Sequence, residues 1–286
     1  MNLCDISVIK SLLGPNGFRF SKSMGQNFLT AAWVPERIAA EAGLDEATGV
    51  LEVGPGIGCL TVQLAQRAGR VVAVELDKKL APVLATTLAG CPNAEVVFGD
   101  VLKLDLAALC AEKLPGLRPV VCANLPYNIT SPLLSAFIDA HCFKSMTLMV
   151  QREVALRICA EAGTPDYGAF TIYAQWHTEP EILFDVAPDC FMPQPKVTSS
   201  VLRLTPRKTP PAEVEDEKFF FSVVRASFNQ RRKTLQNGLA AGLPGFSREQ
   251  IAQAILACGM DERVRGEALR IEQFAALSNE LRSAAL

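Results

Sequence analysis

Histidine and tryptophan are almost missing from the chain, with two of each in 286 residues. The nine cysteines, Cys4, Cys59, Cys91, Cys110, Cys122, Cys142, Cys159, Cys190 and Cys258, never form a CxxC pair. No ligand set for zinc or another metal is therefore visible, and an odd, scattered count fits no disulfide framework. Most of these cysteines sit in apolar runs, as in Val120-Val121-Cys122-Ala123, where a thiol behaves as a small hydrophobe. That usage points to a reducing cytoplasm. The start, Met1-Asn2-Leu3-Cys4-Asp5-Ile6, lacks a basic segment leading into an apolar run, so no secretory signal is visible. No uninterrupted apolar stretch reaches about 18 residues, which excludes a spanning helix and a membrane role. Excess charge is lacking too: 28 Lys and Arg stand against 30 Asp and Glu, a net −2. A polyanionic partner would have to be met by local clustering of basic residues.

What is present is enough apolar residue to bury a full core, 49% of the chain against 20% charged, which excludes a disordered protein. Strand-length apolar runs at 50–53, 70–74, 94–98 and 119–123 alternate with helical patterns such as 60–68 and 78–88. This alternation predicts a parallel sheet covered by helices, an α/β fold. Thr198-Ser199-Ser200-Val201-Leu202-Arg203-Leu204 reads as a further strand closing the sheet. The prolines of Thr205-Pro206-Arg207-Lys208-Thr209-Pro210-Pro211 then break the pattern, and the remainder is helical with glycine breaks. The expected division is an α/β domain at 1–205, beginning with an N-terminal arm at 1–30, a linker at 206–212, and a small helical domain at 213–286.

Chemistry concentrates at the strand ends. Glu52-Val53-Gly54-Pro55-Gly56-Ile57-Gly58 leaves the first strong strand and enters a helix, and its glycines let backbone approach a ligand closely. Cys59 stands where a dinucleotide fingerprint wants a third glycine, which weakens an NAD reading. Glu75 follows Gly58 by 17 residues at the end of the next strand. There a carboxylate can accept both ribose hydroxyls of NAD or S-adenosylmethionine; the plain alternative is a tight turn and a surface acid. Asp100 ends the third strand. It either accepts from an adenine amino group or caps the segment beginning at Val101.

Asn124-Leu125-Pro126-Tyr127 ends the fourth strand. Alkylating an amino nitrogen conjugated to a purine requires drawing it toward sp3 geometry, and two acceptors facing its two N–H bonds do so. Asn124 offers a side-chain carbonyl and Leu125-Pro126 a backbone carbonyl beside proline's fixed φ. Tyr127 offers a plane for a flipped-out base. No strong base is required, so the scarcity of histidine is no obstacle. The alternative is an ordinary turn after a strand.

These motifs, with Gly25-Gln26-Asn27-Phe28-Leu29, Phe191-Met192-Pro193-Gln194-Pro195-Lys196-Val197, Phe228-Asn229-Gln230-Arg231-Arg232-Lys233-Thr234-Leu235 and Ile271-Glu272-Gln273-Phe274, resemble the ribosomal RNA adenine dimethyltransferase family. The resemblance runs from about residue 20 to the end. It implies a Rossmann-like, seven-stranded methyltransferase domain with a small all-helical C-terminal domain, using S-adenosylmethionine to form N6,N6-dimethyladenosine. Gln26, Asn27, Leu29, Gly54, Gly56, Glu75, Leu76, Asp100, Val101 and Asn124 would form the cofactor pocket. Asn124, Leu125, Pro126 and Tyr127 would hold the target amino group, and Phe191 would stack on the base. Within the family the details are similar to the small-subunit branch, which modifies two adjacent adenosines in the 3′-terminal hairpin loop of immature 30S particles. The other branch modifies large-subunit RNA and confers antibiotic resistance. A non-catalytic assembly factor is the reading from another class. A cytoplasmic monomer binding ribosomal RNA is expected, without metal or membrane.

From 218 to 236 five basic residues, Lys218, Arg225, Arg231, Arg232 and Lys233, occur without an acid. Arg225, Arg231, Arg232 and Lys233 are candidates for RNA phosphate contacts; a solvated helix face is the plain alternative. Phe219-Phe220-Phe221 and Phe274 read as core rather than as stacking platforms.

Overall fold

The computed structural model describes residues 1–14, 27–230 and 232–284. Gln26 and Arg231, both expected site residues, lie outside the described residues. In chain order the strands are β1 (Phe28–Leu29), β2 (Thr48–Val53), β3 (Arg70–Glu75), β4 (Ala94–Phe98), β5 (Arg118–Asn124), β6 (Met146–Gln151), β7 (Thr178–Val186), β8 (Phe191–Met192) and β9 (Ser199–Pro206). The helices are α1 (Ile6–Leu13), α2 (Trp33–Glu41), α3 (Cys59–Ala65), α4 (Ala81–Thr87), α5 (Leu106–Lys113), α6 (Thr130–Asp139), α7 (Arg152–Ile158), α8 (Ala169–His177), α9 (Glu217–Phe228), α10 (Leu235–Gly242), α11 (Arg248–Ala257) and α12 (Ile271–Ser283). Side-chain acceptors start several of them: Asp5 takes the Ser7 N–H at 2.7 Å, and Asp216 takes the Phe219 N–H at 3.0 Å. These caps satisfy donors that a first helical turn leaves open.

Seven strands form one sheet in the order β4-β3-β2-β5-β6-β9-β7. The pairs β3/β4, β2/β3, β2/β5 and β5/β6 are parallel, and β9 runs antiparallel to β6. Every residue of β2 is buried, as suits a central strand covered on both faces. The chain steps outward from β2 to β3 and β4, then returns to place β5 on the other side of β2. That reversal opens a crevice at the carboxyl ends of β2 and β5, where ligands of open α/β sheets bind.

Of the strands foreseen in the sequence, 94–98 keeps its limits, 50–53, 70–74 and 119–123 lengthen by one or two residues, and 198–204 becomes 199–206. β7 shows no strand pattern in the sequence because it carries Pro180, Glu179, Glu181 and Asp185. It lies at the edge of the sheet, where a missing donor and outward charges are tolerated. A second, two-stranded sheet pairs β1 with β8, placing Leu29 opposite Phe191.

Contacts divide the chain into two compact units, Met1–Ala155 with Pro180–Pro206, and Leu156–Glu179 with Arg207–Leu286. The sequence reading keeps 156–179 with the sheet, whereas its contacts group it with the C-terminal helices. Side chains of α8 are the reason: Ile172 and Trp176 are buried with Phe220, Val223 and Phe274, and the Tyr167 hydroxyl donates to the Leu269 carbonyl at 2.9 Å. Phe219 and Phe221 pack partly buried against the same cluster. In the first unit, Val50, Val71, Cys122, Met149 and Val201 from five strands meet Ile38 of α2 and Leu64 of α3. All nine cysteines are free thiols. No helix among the described residues is long and apolar enough to cross a membrane, and none of their His, Cys, Asp and Glu side chains form a group of three able to hold a metal ion.

Trp176 stacks on Phe220 at 4.3 Å between ring centroids, and Phe220 is 0% exposed. Removing its ring leaves a cavity as well as lost apolar burial, so Phe220→Ala is expected to lower unfolding free energy by about 3–5 kcal/mol. Lys218→Ala, at an exposed position of the same helix, is expected to change it by less than about 0.5 kcal/mol. Chemical denaturation of the two variants checks the contrast.

Candidate functional site

The carboxyl ends of β2, β3, β4 and β5 surround a cavity of about 270 Å³. After β2 the chain turns through 54–58, where Gly54, Gly56 and Gly58 have φ of +70°, +59° and +92°. Side chains are strained in that left-handed region. At Gly56 space is short as well, since a Cβ would lie 3.2 Å from the Phe28 ring. The Gly54 N–H donates to the Val74 carbonyl at 2.9 Å, tying the loop to the end of β3.

Three acids face this cavity. Glu52, in β2, is 1% exposed, and its Oε2 makes no hydrogen bond. Burial pushes its carboxyl up to about 8, and the nearby Glu75 carboxylate adds to the shift. Glu75 ends β3 at 6% exposure and accepts the Asp77 N–H at 2.8 Å. Burial raises its carboxyl too, against the N–H groups of Asp77, Gly56 and Leu76 that favour the charged form. Asp100 does both things the sequence left open: its Oδ1 caps a 3₁₀ turn by accepting the Leu102 N–H at 3.1 Å, and the residue lines the cavity. Among the described residues, those lining the cavity include these acids and no Lys, Arg or His.

The Asn124 segment forms the opposite wall. Asn124 is the last residue of β5 and pairs in register with Met149 of β6, while the Leu125 N–H donates to the Met149 carbonyl at 3.0 Å. The Pro126 carbonyl is already engaged, accepting from the Ile129 N–H at 3.2 Å and the Thr130 hydroxyl at 3.1 Å. Tyr127 is anchored by a hydrogen bond between its hydroxyl and that of Ser199 in β9. Burial raises the Tyr127 phenol, so the ring stays neutral at physiological pH.

Of the expected site residues, Asn27, Leu29, Gly54, Gly56, Glu75, Leu76, Asp100, Val101, Asn124, Leu125, Pro126 and Tyr127 come together around this one cavity. Phe191 does not. It is 4% exposed and packs with Leu29, itself a lining residue, and with Val34, Cys190 and Val201, without lining the cavity. Pairing of β8 with β1 turns its ring into that cluster. Glu52, Phe28 and Ser199 were given no site role in the sequence, although all three lie within segments quoted there. In the second unit Arg225, Arg232 and Lys233 are exposed, and none of the three forms an ion pair among the described residues. Arg225 donates to the Ser222 hydroxyl at 3.1 Å. Arg152 pairs with Asp185 at 3.1 Å.

Comparison with known proteins adds independent findings. The family profile described as ribosomal RNA adenine dimethylase matches residues 17–283. The chain is 48% identical over 276 residues to the ribosomal RNA small subunit methyltransferase A of Geobacillus thermodenitrificans (strain NG80-2), covering 95% of this chain and 94% of that one. It is 46% identical over 273 residues to the protein of the same name from Alkaliphilus oremlandii (strain OhILAs), with 95% of each covered. Among solved structures, a dimethyladenosine transferase from Plasmodium falciparum superposes with a TM-score of 0.76 at 25% identity, over 91% of this chain and 98% of that one. The 23S rRNA methyltransferase ErmE superposes at 0.68 with 30% identity, over 89% and 99%.

Glu52 generates a pH prediction. Its folded value of about 8 exceeds the ordinary 4.5. The stability it contributes is thus complete below the lower value and is lost as pH rises through the upper one. Between about pH 5 and pH 9 the melting temperature of the ligand-free protein is expected to fall more steeply in the wild type than in Glu52→Gln. Parallel melting profiles would contradict a proton buried on Glu52.

Proposed function

The chain belongs to the ribosomal RNA adenine dimethylase family, and we propose that it dimethylates the N6 amino groups of two adjacent adenosines in the 3′-terminal hairpin loop of small-subunit ribosomal RNA. S-adenosylmethionine is the proposed methyl donor and the immature 30S particle the proposed substrate. The acidity of the cavity carries the cofactor reading. A lining that, among the described residues, has Glu52, Glu75 and Asp100 and no basic side chain suits a nucleoside bearing a sulfonium and an ammonium group, and disfavours the pyrophosphate of a dinucleotide. The glycine loop fits as well, because a Cβ at Gly56 would take up space beside Phe28. Glu75 would accept the ribose hydroxyls, and Asp100, beside Val101 and Leu76, would accept from the adenine amino group. When bound, S-adenosylmethionine supplies a methyl group already activated by the sulfonium.

The remaining work falls to the chain. The Asn124 side-chain carbonyl accepts one N6–H of the target adenosine. Because the Pro126 carbonyl is committed to the turn into α6, the Leu125 carbonyl is the backbone acceptor for the other. Two acceptors on the two N–H bonds draw the lone pair out of conjugation and point it at the methyl group. The Tyr127 ring, steadied by Ser199, offers the base a plane. The proton leaves after transfer, so no histidine is needed.

The small-subunit assignment rests on 48% identity to a small-subunit methyltransferase against 30% to a large-subunit one. A ribosomal RNA substrate implies action in the cytoplasm, and a monomer suffices because the residues proposed for methyl transfer lie within one unit of a single chain. Mass mapping of RNA from 30S particles lacking the modification, after incubation with protein and S-adenosylmethionine, tests the whole reading. Two adjacent N6,N6-dimethyladenosines are expected. Methylation of large-subunit RNA would transfer the assignment to the resistance branch, and binding without methylation would reduce the protein to an assembly factor.

Asn124→Ala is expected to cut turnover by about 10²-fold or more, the scale for losing one preorganised hydrogen-bonding group, while particle binding persists; unchanged turnover would refute the amino-group clamp. Replacing Arg225, Arg232 and Lys233 by Ala should weaken RNA binding and flatten its salt dependence, each lost phosphate contact reducing the slope of log K against log salt by about 0.7–0.9. A binding titration at several salt concentrations decides, and an unaltered slope would count against phosphate contact.

A further inference from the structure

The N-terminal helix has no part in the chemistry described so far, yet its apolar face packs behind the glycine loop. α1 is eight residues long, and a helix that short is marginal in water by itself. Asp5 caps it, accepting the Ser7 and Val8 N–H groups at 2.7 and 3.3 Å, but a cap alone does not hold such a helix. Burial does: Ile9 and Leu13 are buried, and they join Phe28, Ile57, Leu80 and Leu88 in an apolar cluster separate from that of Val50 and Val71.

This cluster supports the loop that faces the cofactor cavity. A Cβ at Gly56 would lie 3.2 Å from the Phe28 ring, and one at Gly58 would lie 3.0 Å from the Leu88 side chain. At both positions the loop backbone therefore rests on members of the cluster. Phe28, Ile57 and Leu80 belong to the cluster and also line the cavity, so the side chains that α1 helps to bury form part of the cavity wall. Cys59, the first residue of α3, adds a polar tie, its thiol donating to the Leu3 carbonyl at 3.1 Å. Glycines do not fix their own loop, because each can leave the left-handed region at little cost. The shape must be imposed by what packs against it.

We propose that Ile9 and Leu13 are positioning residues for the cofactor: α1, docked through them, holds Phe28 and the glycine loop in the form that binds S-adenosylmethionine, and docking and binding strengthen each other. The inference rests on the cofactor reading given above. A short helix that persists only while docked is a two-state element of low local stability. Undocking it strips cover from Phe28 and Ile57 and releases the loop backed by Phe28 and Leu88. A ligand packed on the cavity side of the same wall favours the docked state, and by linkage docking favours the ligand by the same factor. Ile9 and Leu13 are not among the cavity's lining residues, so their effect falls on cofactor affinity and not on methyl transfer.

Calorimetric titration of the full chain with S-adenosylmethionine tests the coupling. Ile9→Ala and Leu13→Ala are expected to bind about 10-fold more weakly than the wild type, within the usual range for coupled sites, and to raise the cofactor KM with kcat at saturating cofactor unchanged. Leu13→Met, which conserves volume, should keep wild-type affinity. Phe143→Ala, which empties a buried position outside this cluster, should destabilise the fold and leave affinity alone. Wild-type affinity in both alanine variants, or an equal loss in Phe143→Ala, would overturn the inference and leave the cofactor reading standing, whereas no binding by the wild type would overturn both. On the wild-type chain, added S-adenosylmethionine is expected to slow hydrogen exchange at the α1 amides, such as that of Ile9, which donates to the Asp5 carbonyl at 2.9 Å. Unchanged exchange there overturns the inference even if the alanine variants fail to fold.

Discussion

The parallel pairing of β2 with β3 on one side and β5 on the other is the constraint on which the site depends. Parallel strands in a sheet end along the same edge, and each connection must cross back to begin the next. When the chain builds outward to β4 and then restarts at β5, four strand ends collect around the point of reversal without any long-range instruction in their loops. The Gly54 N–H bond to the Val74 carbonyl and the Leu125 N–H bond to the Met149 carbonyl extend the ladder one residue past β2 and β5. Functional loops are thereby anchored on hydrogen bonds that the sheet already requires. Rigid strands carrying short loops hold a constellation more closely than a long loop could.

That arrangement explains which parts were legible in the sequence. Gly54, Glu75, Asp100 and Asn124 announce themselves because each punctuates an apolar strand with a residue the strand itself does not need. Once parallel pairing is inferred, their common edge follows. Glu52 was harder to recognise: it lies inside β2, and whether a mid-strand acid is buried beside a cavity or merely exposed depends on the two neighbouring strands. β7 and the grouping of 156–179 with the C-terminal helices were not readable for a similar reason. Pro180 and the acids of β7 make sense only at an edge, and Trp176 reads as core under any assignment until Phe220, many residues later, is found stacked on it.

Phe191 is a residue whose packing its motif does not reveal. Its string of prolines marks a segment near the site, yet which way a two-residue strand turns its side chains is decided by its partner. Here β1 supplies that partner, and the antiparallel register sets Phe191 against Leu29. The residue then supports the wall that carries Leu29 toward the cavity, a contribution through packing. Asp100 is the opposite case: capping a turn and lining the cavity are compatible because the cap consumes one oxygen, leaving a carboxylate with further lone pairs to offer.

Charge distribution gives the two units their division of labour. Burying charge on Glu52 and Glu75 side by side is costly, since desolvation and mutual repulsion both favour the neutral form, and the described residues that line the cavity include no cation to offset it. Protonation of Glu52 relieves part of that cost, and a positively charged ligand, as proposed, would supply a countercharge whose attraction the same burial strengthens. The second unit carries the reverse pattern, with Arg225, Arg232 and Lys233 exposed and suited to the phosphates of a large polyanion. The net charge of −2 sums acids that line a cavity in one unit and exposed basic residues in the other. The sum conceals both, because each acts over distances no longer than about one Debye length.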